Sequence, residues 1–357
     1  MTDSKYSDSN KYQKEIAEQY KQRIPTFSNA QVILILKTLG FDNIEEQFVE
    51  EAVVGNVNAT YLTPHLVVKI NTNKEKRCYW ANKVVYDILL DTTPVVKVLA
   101  YDFFNKTDYE VLIMKRSSGS LLLHDVFSLT QEEQLVIFKQ VLDVVTKLSE
   151  IKLDSFGFIN ANEHLATYGE FLADDFKKHI VIIRKEKLCT EDDINKVEKY
   201  FFDNIGVFAD DKTSVFVHTD LHMGNILHEG NRVTAILDFD SALQAPKWVV
   251  LRSLLGVIAD PSQYVEGTQD FEKFKGKNFY HFLPMLQHEL SDVFSDPKLL
   301  RKMNIRGVAE GIMWVAGNWS ADWNKEMMRN LIERELAINE EVLHNSYYGK
   351  IFAHLEK

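Results

Sequence analysis

Two cysteines are all that 357 residues supply, and Cys78 and Cys189 lie far apart without metal-type spacing. Such sparing use points to a reducing cytoplasm and away from a disulfide framework. Basic excess is lacking as well. Lys and Arg number 41 against 52 Asp and Glu, a net charge of −11. That argues against a nucleic-acid backbone or an anionic membrane as the main partner. A cationic substrate is compatible with it but not required. No apolar run is long enough to span a bilayer, and MTDSKYSDSNKYQKE at the N-terminus has no signal-peptide core. Internal repeats and low-complexity tracts are missing too. What is there is the composition expected of a soluble globular protein, 45% hydrophobic and 26% charged. The length calls for one large bilobal domain or two domains.

Residues 1–27 read as a polar arm. A helix follows: Ser28 and Gln31 fit a capping box, VILILKTL supplies an apolar face, and Gly40 is placed to stop it. Short β-type segments come next, at 45–54, 59–63 and 66–70. Gly55, Asn56 and Asn58 sit between the first two, as a hairpin turn requires. Residues 74–90 place Tyr79, Val84, Val85, Ile88 and Leu89 at helical spacing. Strands at 94–104 and 109–114 complete a β-β-β-α-β-β run. KRSSG (115–119) looks like a linker. Thr130 and Glu133 fit a second capping box, and the rest reads as mostly helical except for two short strands around a loop at 215–240. The pattern therefore predicts a small β lobe, a linker, and a large helical lobe holding one β-hairpin.

That loop carries the chemistry. In FVHTDLHMGNILHEGNRVTAILDFD (216–240), Asp220, Asn225 and Asp238 each stand beside an apolar strand. Turn chemistry alone accounts for Asp and Asn at strand ends. A metal and phosphate site accounts for them as well, since magnesium takes oxygen ligands and phosphoryl transfer needs positioning and charge neutralisation. A transition-metal cluster of His218, Asp220 and His222 is a third reading, and it leaves Asn225 and Asp238 unexplained. Far upstream, Lys69 is flanked by apolar residues in Val67-Val68-Lys69-Ile70. Burying it is costly unless it meets an anion, whereas a snorkelling surface lysine would be unremarkable.

The loop His218-Thr219-Asp220-Leu221-His222-Met223-Gly224-Asn225-Ile226-Leu227, followed by Ile236-Leu237-Asp238-Phe239-Asp240, is similar to the H-x-D-L-x-x-x-N loop and I-D-[FW]-[DE] metal motif of the aminoglycoside phosphotransferase and choline kinase superfamily. The resemblance covers roughly residues 28 to 330, and the intervals of five from Asp220 to Asn225 and eighteen from Asp220 to Asp238 match the kinase pattern. It implies an α+β, protein-kinase-like bilobal fold. A five-stranded antiparallel nucleotide-binding lobe with one helix would occupy 28–114, a hinge 115–119, and a mainly helical lobe with the catalytic loop and acceptor site 120–357. It implies ATP- or GTP-dependent, Mg2+-dependent phosphotransfer to a hydroxyl of a small molecule. The acceptor would be an antibiotic such as an aminoglycoside or macrolide, or a sugar or amino-alcohol metabolite.

By the same resemblance Asp220 is the base, Asn225 and Asp238 hold the metal, and Asp240 joins the metal shell or braces the loop. His218 is a scaffold residue bonded to backbone. Gly55, Asn58 and Ala59 belong to a loop covering the phosphates, though a plain hairpin would look the same. Lys69 holds the α- and β-phosphates. Met114 guards the adenine pocket and the backbones of Lys115 and Ser117 bond the adenine edge, unless 115–119 is a simple linker. His222 stands where it can touch the acceptor. Among 310–326, Trp319, Asp322 and Trp323 are candidates for the acceptor wall and Trp314 for the core. Residues 258–330 carry ten acidic and nine basic side chains, which is no acidic basin for a polycation.

Two positions depart from the superfamily pattern. Asn82 stands where a glutamate often pairs with the lysine, so either Asn82 or the earlier Glu75 would hold Lys69. Pro246 is followed by Lys247 and Trp248, where an aspartate commonly braces the catalytic loop. A regulatory nucleotide-binding pseudokinase is the alternative of a different class, and the intact Lys69, Asp220, Asn225 and Asp238 speak against it. A protein kinase ranks last, because Asp240 replaces the glycine of Asp-Phe-Gly and no Ala-Pro-Glu segment follows.

Overall fold

Helix α1 (Asn29–Thr38) starts and stops as its sequence dictates in the computed structural model of the chain, which describes residues 26–355 apart from 43, 53–58, 72–78, 90–92, 105–108, 266–267, 318–320 and 337–339. The Gln31 N–H donates to Ser28 Oγ, and the Ser28 N–H donates back to Gln31 Oε1 at 2.8 Å. At the far end Gly40 turns to φ +89°, so that Gly40 and Phe41 donate to the Lys37 and Leu36 carbonyls. This is the doubly bonded stop that a left-handed glycine permits.

α1 lays Val32, Ile35 and Leu36 on one face of an antiparallel sheet. Its strands are β1 (Glu50–Glu51), β2 (Ala59–Leu62) and β3 (Leu66–Asn71), then, after helix α2 (Trp80–Leu89), β4 (Val98–Phe104) and β5 (Tyr109–Lys115). The spatial order is β1-β2-β3-β5-β4. This is the expected five-stranded lobe, with two shorter strands. The stretch expected as a strand over 45–54 has a 3-10 turn at Glu46–Phe48 and only two paired residues, because consecutive Glu, Glu and Gln offer no apolar alternation. The strand expected from 94 starts at Val98, because Pro94 and Val95 pair instead with Ile236 of the other lobe. In β3, Val68 and Ile70 face α1, and alternation turns Lys69 to the opposite face, opposite Thr60 and Leu112.

The larger lobe opens with β6 (Ser120–Leu121) and helix α3 (Gln131–Glu150), which is capped by the Thr130–Glu133 box. Then come β7 (Lys152–Leu153), β8 (Gly157–Phe158), α4 (Tyr168–Lys185), α5 (Glu191–Asn204), β9 (Ser214–Val217), β10 (Ile226–Glu229), β11 (Arg232–Ile236) and β12 (Leu243–Ala245). Helices α6 (Leu251–Ala259), α7 (Leu299–Ala316), α8 (Ala321–Asn330) and α9 (Tyr347–Phe352) are the main elements of the rest. In place of the single hairpin expected there are two sheets, β11-β10-β6 and β7-β9-β12-β8. Two-residue strands such as Lys152–Leu153 are too short to show alternation in sequence. The strands on either side of the catalytic loop thus belong to different sheets.

The lobes are joined closely. Ala81, Val85 and Leu89 of α2 pack into the large-lobe core. The linker runs so near β10 that a Cβ on Gly119, at φ +96°, would lie 2.3 Å from the His228 carbonyl oxygen, and only glycine fits there. Among the described residues no helix is long and apolar enough to cross a membrane. The expected polar arm, up to residue 25, lies outside the described residues, as do Gly55, Asn58, Glu75 and Trp319.

Candidate active site

β9 is buried along its whole length and delivers His218 to the interior at 1% exposure. Both ring nitrogens are bonded to backbone. Nε2 meets the Leu237 carbonyl at 2.9 Å, and Nδ1 accepts the Asp220 N–H at 3.2 Å. Burial holds this imidazole below its ordinary pKa. His218 therefore ties the turn at 218–225 to the segment between β11 and Asp238, and it has no nitrogen left for a metal. Among the described residues no group of three or more His, Cys, Asp and Glu is arranged to hold a metal ion, so the transition-metal reading finds no support. Thr219 adds a second tie, donating to the Ser241 carbonyl at 2.7 Å.

Asp220 and Asn225 meet across the turn. The Asn225 amide donates to the Asp220 carbonyl at 2.8 Å and lies 3.3 Å from its Oδ2. Its own backbone carbonyl takes the Leu237 N–H at 2.8 Å. The turn is thereby locked to the residue before Asp238. Asp238 itself adopts φ +63°, one of two non-glycine residues on the positive side among those described. Asp tolerates this conformation better than most residues, and a left-handed residue two positions beyond β11 is the kind of strain found at functional sites.

His222 stands beside Asp220. Its Nδ1 accepts the Gly224 N–H at 3.1 Å, and its Nε2 lies 3.6 Å from Asp220 Oδ2. The other face of the ring stacks on Tyr264, centroids 4.8 Å apart and planes 21° apart. Burial pushes the Asp220 carboxyl up, but the bond to His222 and its charge outweigh it and leave the pKa below the ordinary value. A carboxylate that stays ionised and half-exposed can accept a proton.

Lys69 crosses from the small lobe into this group. Its Nζ lies 3.1 Å from Asp238 Oδ1 and 2.8 Å from Asp240 Oδ2, and 5.2 Å from the centroid of the Tyr79 ring. Burial would lower the ammonium's pKa, but the two carboxylates raise it. Burial would also raise Asp238, and Lys69 holds it down instead. Asp240 goes the other way, pushed up by burial with the Asp238 charge beside it, against the pull of Lys69. Neither residue expected to hold Lys69 does so among the described contacts. Asn82 donates to Asp240 Oδ1 at 2.8 Å instead, and Glu75 lies outside the described residues. The oxygens of Asn225 and Asp238 suit a hard divalent cation completed by phosphate and water. Asp240, with one oxygen on Lys69 and the other on Asn82, serves as a brace.

The linker residues follow β5. Met114 is 6% exposed at the end of β5. The Lys115 N–H is already given to Lys97 O at 2.8 Å, so only its carbonyl can meet a base edge. Ser117 follows, half-buried between the exposed Arg116 and Ser118, and Ala59 is buried at the start of β2. The tryptophans fall the opposite way from expectation. Trp314 is 41% exposed on α7, and Trp323 is 9% exposed on α8. The helical periods of α7 and α8 set those faces, and an apolar neighbourhood in sequence does not. Asp322 is exposed, and α8 packs on α7 and on the turn at Leu331–Leu336.

A protein-family model described as the phosphotransferase enzyme family matches residues 74–249, the span from α2 through the catalytic and metal loops. Over that span, just under half of the chain, the sequence matches the family. The matched family is one of phosphotransferases. Solved structures share the fold at low identity. A thermostable variant of the aminoglycoside phosphotransferase APH(4)-Ia, in a ternary complex with AMP-PNP and hygromycin B, is 14% identical with a TM-score of 0.58, over 85% of this chain and 98% of that one. The streptomycin–ATP–APH(2")-IIa ternary complex is 18% identical with a TM-score of 0.57, over 89% and 99%. ADP-bound APH(2'')-Ib is 18% identical with a TM-score of 0.56, over 89% and 98%. No curated protein matches the sequence.

Two features escaped the sequence. Tyr264 sits in the irregular PSQYVEG stretch, with no periodic signal to mark it. Asn160 lies in the loop after β8, where Asn reads as ordinary turn chemistry. It accepts the Ala81 N–H at 2.7 Å and donates to the Asp240 carbonyl at 2.9 Å.

Proposed function

We propose that the chain transfers the γ-phosphoryl group of ATP or GTP, with Mg2+, to a hydroxyl of a small acceptor in a reducing cytoplasm. The observation that carries this reading is the convergence of Asp220, Asn225, Asp238 and Lys69, from two lobes, on one cleft. Asp220 orients the acceptor hydroxyl and takes its proton as the new bond forms, a contribution on the order of 10²–10⁴ in rate. Asn225 and Asp238 would hold the metal, which would supply positive charge against the phosphates. Lys69 supplies a fixed cation to the phosphates, and the loop with Gly55, Asn58 and Ala59 covers them with backbone N–H groups. Met114 backs the base, the Lys115 carbonyl meets its edge, and Ser117 N–H is the matching donor. These donor sets leave ATP and GTP as equal candidates.

The acceptor approaches from the His222–Tyr264 side, where a flat aromatic pair beside the base suits a sugar-like ring. Asp322 and Trp319 are candidates for its outer contacts. The structural neighbours were solved with hygromycin B and streptomycin, so aminoglycosides head the list to be tried. The near-balanced charge of 258–330 keeps macrolides, sugars and amino alcohols on it. The test is a screen of such compounds for acceptor-stimulated release of ADP or GDP in the presence of Mg2+. Stimulation that disappears in Asp220→Asn supports the reading. Nucleotide binding with no acceptor-stimulated turnover across the whole screen would favour the regulatory alternative.

A further inference from the structure

In the superfamily pattern a helix glutamate often pairs with the phosphate-binding lysine, and this chain has Asn82 at that place. An ammonium on an apolar strand still needs an anion. We propose that Asp240 is the relocated anchor of Lys69, and that Asn82 is a positioning residue that relays the register of α2 to it. The inference rests on the kinase reading of Lys69, and it assigns Asp240 to the lysine and not to the metal.

The geometry forms a continuous chain of contacts. Lys69 Nζ meets Asp240 Oδ2 at 2.8 Å, and the Asn82 amide donates to Asp240 Oδ1 at 2.8 Å. Asn82 Oδ1 faces the Phe239 N–H at 3.4 Å. Asn160 fastens the same two elements a second time, through the Ala81 N–H and the Asp240 carbonyl. Asp240 is 16% exposed on its side chain, while Asp238 is 41% exposed. The more open carboxylate is the one free to meet a solvated ion, and the closed one has a partner on each oxygen. Asn82 itself is 5% exposed, and its neighbours on α2 are packed into the large-lobe core. A glutamate is not needed on α2, because the carboxylate comes from the metal loop and α2 supplies the hydrogen bond that fixes it. The amide also explains why Asn82 is not acidic: its NH2 points at a carboxylate oxygen, where a second carboxylate would be repelled.

The test uses full-length protein and two readouts. The first is acylation of Lys69 by an amine-reactive ester in nucleotide- and metal-free protein, quantified by mass spectrometry against the exposed Lys277. Taking away the anchor removes the charge-assisted bond that holds Nζ in place, so Asp240→Asn should label Lys69 about tenfold faster, the factor for the loss of one such bond. Returning a carboxylate to the helix in the double variant Asn82→Glu/Asp240→Asn, one methylene longer than asparagine, should bring labelling back to within about threefold of wild type. The second readout is kinetic. Asp240→Asn and Asn82→Ala should each lower kcat about tenfold or more with the nucleotide KM changed less than about threefold, and the double variant should recover kcat. Unchanged labelling in Asp240→Asn, or a double variant no closer to wild type than the single one, would overturn the assignment. If wild type turns over no acceptor at all, the kinase reading fails, while the labelling experiment still decides whether Asp240 anchors Lys69.

Discussion

Lys69→Met removes the only cation that the described contacts place against Asp238 and Asp240, while keeping the length and most of the volume of the stem. The cost follows from the three exposures. Lys69 and Asp240 are 12% and 16% exposed on their side chains, and breaking a buried pair by removing one partner costs about 3–5 kcal/mol. Asp238, at 41%, is screened by water and adds little. Asp240 keeps its bond from Asn82 and can also take up a proton, since burial already pushes its carboxyl up. The net loss should therefore lie near about 2–3 kcal/mol, a fall of about 4–8 °C in Tm. The sharper expectation concerns ions. Once the ammonium is gone, two carboxylates face one another, and a divalent cation can take its place. Millimolar Mg2+ or Mn2+ should restore part of the lost Tm in Lys69→Met and leave wild type nearly unchanged. Thermal melts at pH 7 with and without the ion measure both effects. A variant that melts within about a degree of wild type, or responds to Mg2+ no more than wild type does, would refute the view that Lys69 supplies the positive charge between these two carboxylates.

Asp220→Asn should reduce transfer by on the order of 10²–10⁴ while nucleotide still binds, and a residual rate above about a tenth would remove Asp220 from the role of base. Asp238→Asn should weaken nucleotide binding more in Mg2+ than in EDTA, as read by titration with a fluorescent nucleotide; equal losses in both would mean a structural role. For His222→Ala the sign is fixed by burial. Asp220 lies below its ordinary value only because the bond and charge of His222 outweigh desolvation, so removing the ring leaves desolvation to raise the pKa. The acid limb of kcat/KM should move to higher pH, and a profile that does not move would sink the coupling. Lys302→Met breaks a buried triad in which Nζ lies 2.6 Å from Asp211 Oδ1 and 2.8 Å from Asp296 Oδ2 at 3% exposure. It should cost about 3–5 kcal/mol in chemical denaturation, with a small change in kcat at 20 °C.

How much of this was legible varies by element, and the reason is the range of the forces involved. The capping boxes at Ser28 and Thr130 and the glycine stop at Gly40 are local, decided within four residues, and the structure has them as read. The five strands of the small lobe were readable from alternation, except at 45–48, where Glu and Gln gave no buried face. The strands of two residues in the large lobe exist only because longer partners pair with them. Trp314 and Trp323 were read by the character of their neighbours in sequence. Burial on a helix follows the face that a residue occupies, so the two came out reversed. At the site, Asp220, Asn225 and Asp238 could be found because the chemistry proposed for them fixes their spacing along the chain. Tyr264 and Asn160 could not, since each meets the site through a tertiary contact to which its own sequence neighbourhood gives no clue.

The two departures from the superfamily pattern follow one rule. A position that lacks its usual residue still leaves a physical demand, and that demand is met from wherever the fold has a suitable group within reach. Lys69 needs a carboxylate, and without a glutamate on α2 it takes Asp240, 171 residues away in the chain. Where a brace usually follows Pro246, this chain has Lys247 and Trp248. The Trp248 indole instead donates to Asp211 Oδ2 at 3.2 Å, just ahead of the strand that delivers the catalytic loop, and Lys302 closes the group from α7. A missing charge at a patterned position is thus weak evidence for lost activity, because the pattern records one solution to an electrostatic requirement and the sequence shows only the requirement. The relocation does alter one thing. With its anchor on the metal loop, Lys69 answers to the same segment that holds the ion, so any shift of Phe239 or Asp240 moves both positive charges that the phosphates would meet. A glutamate on α2 would have left them independent.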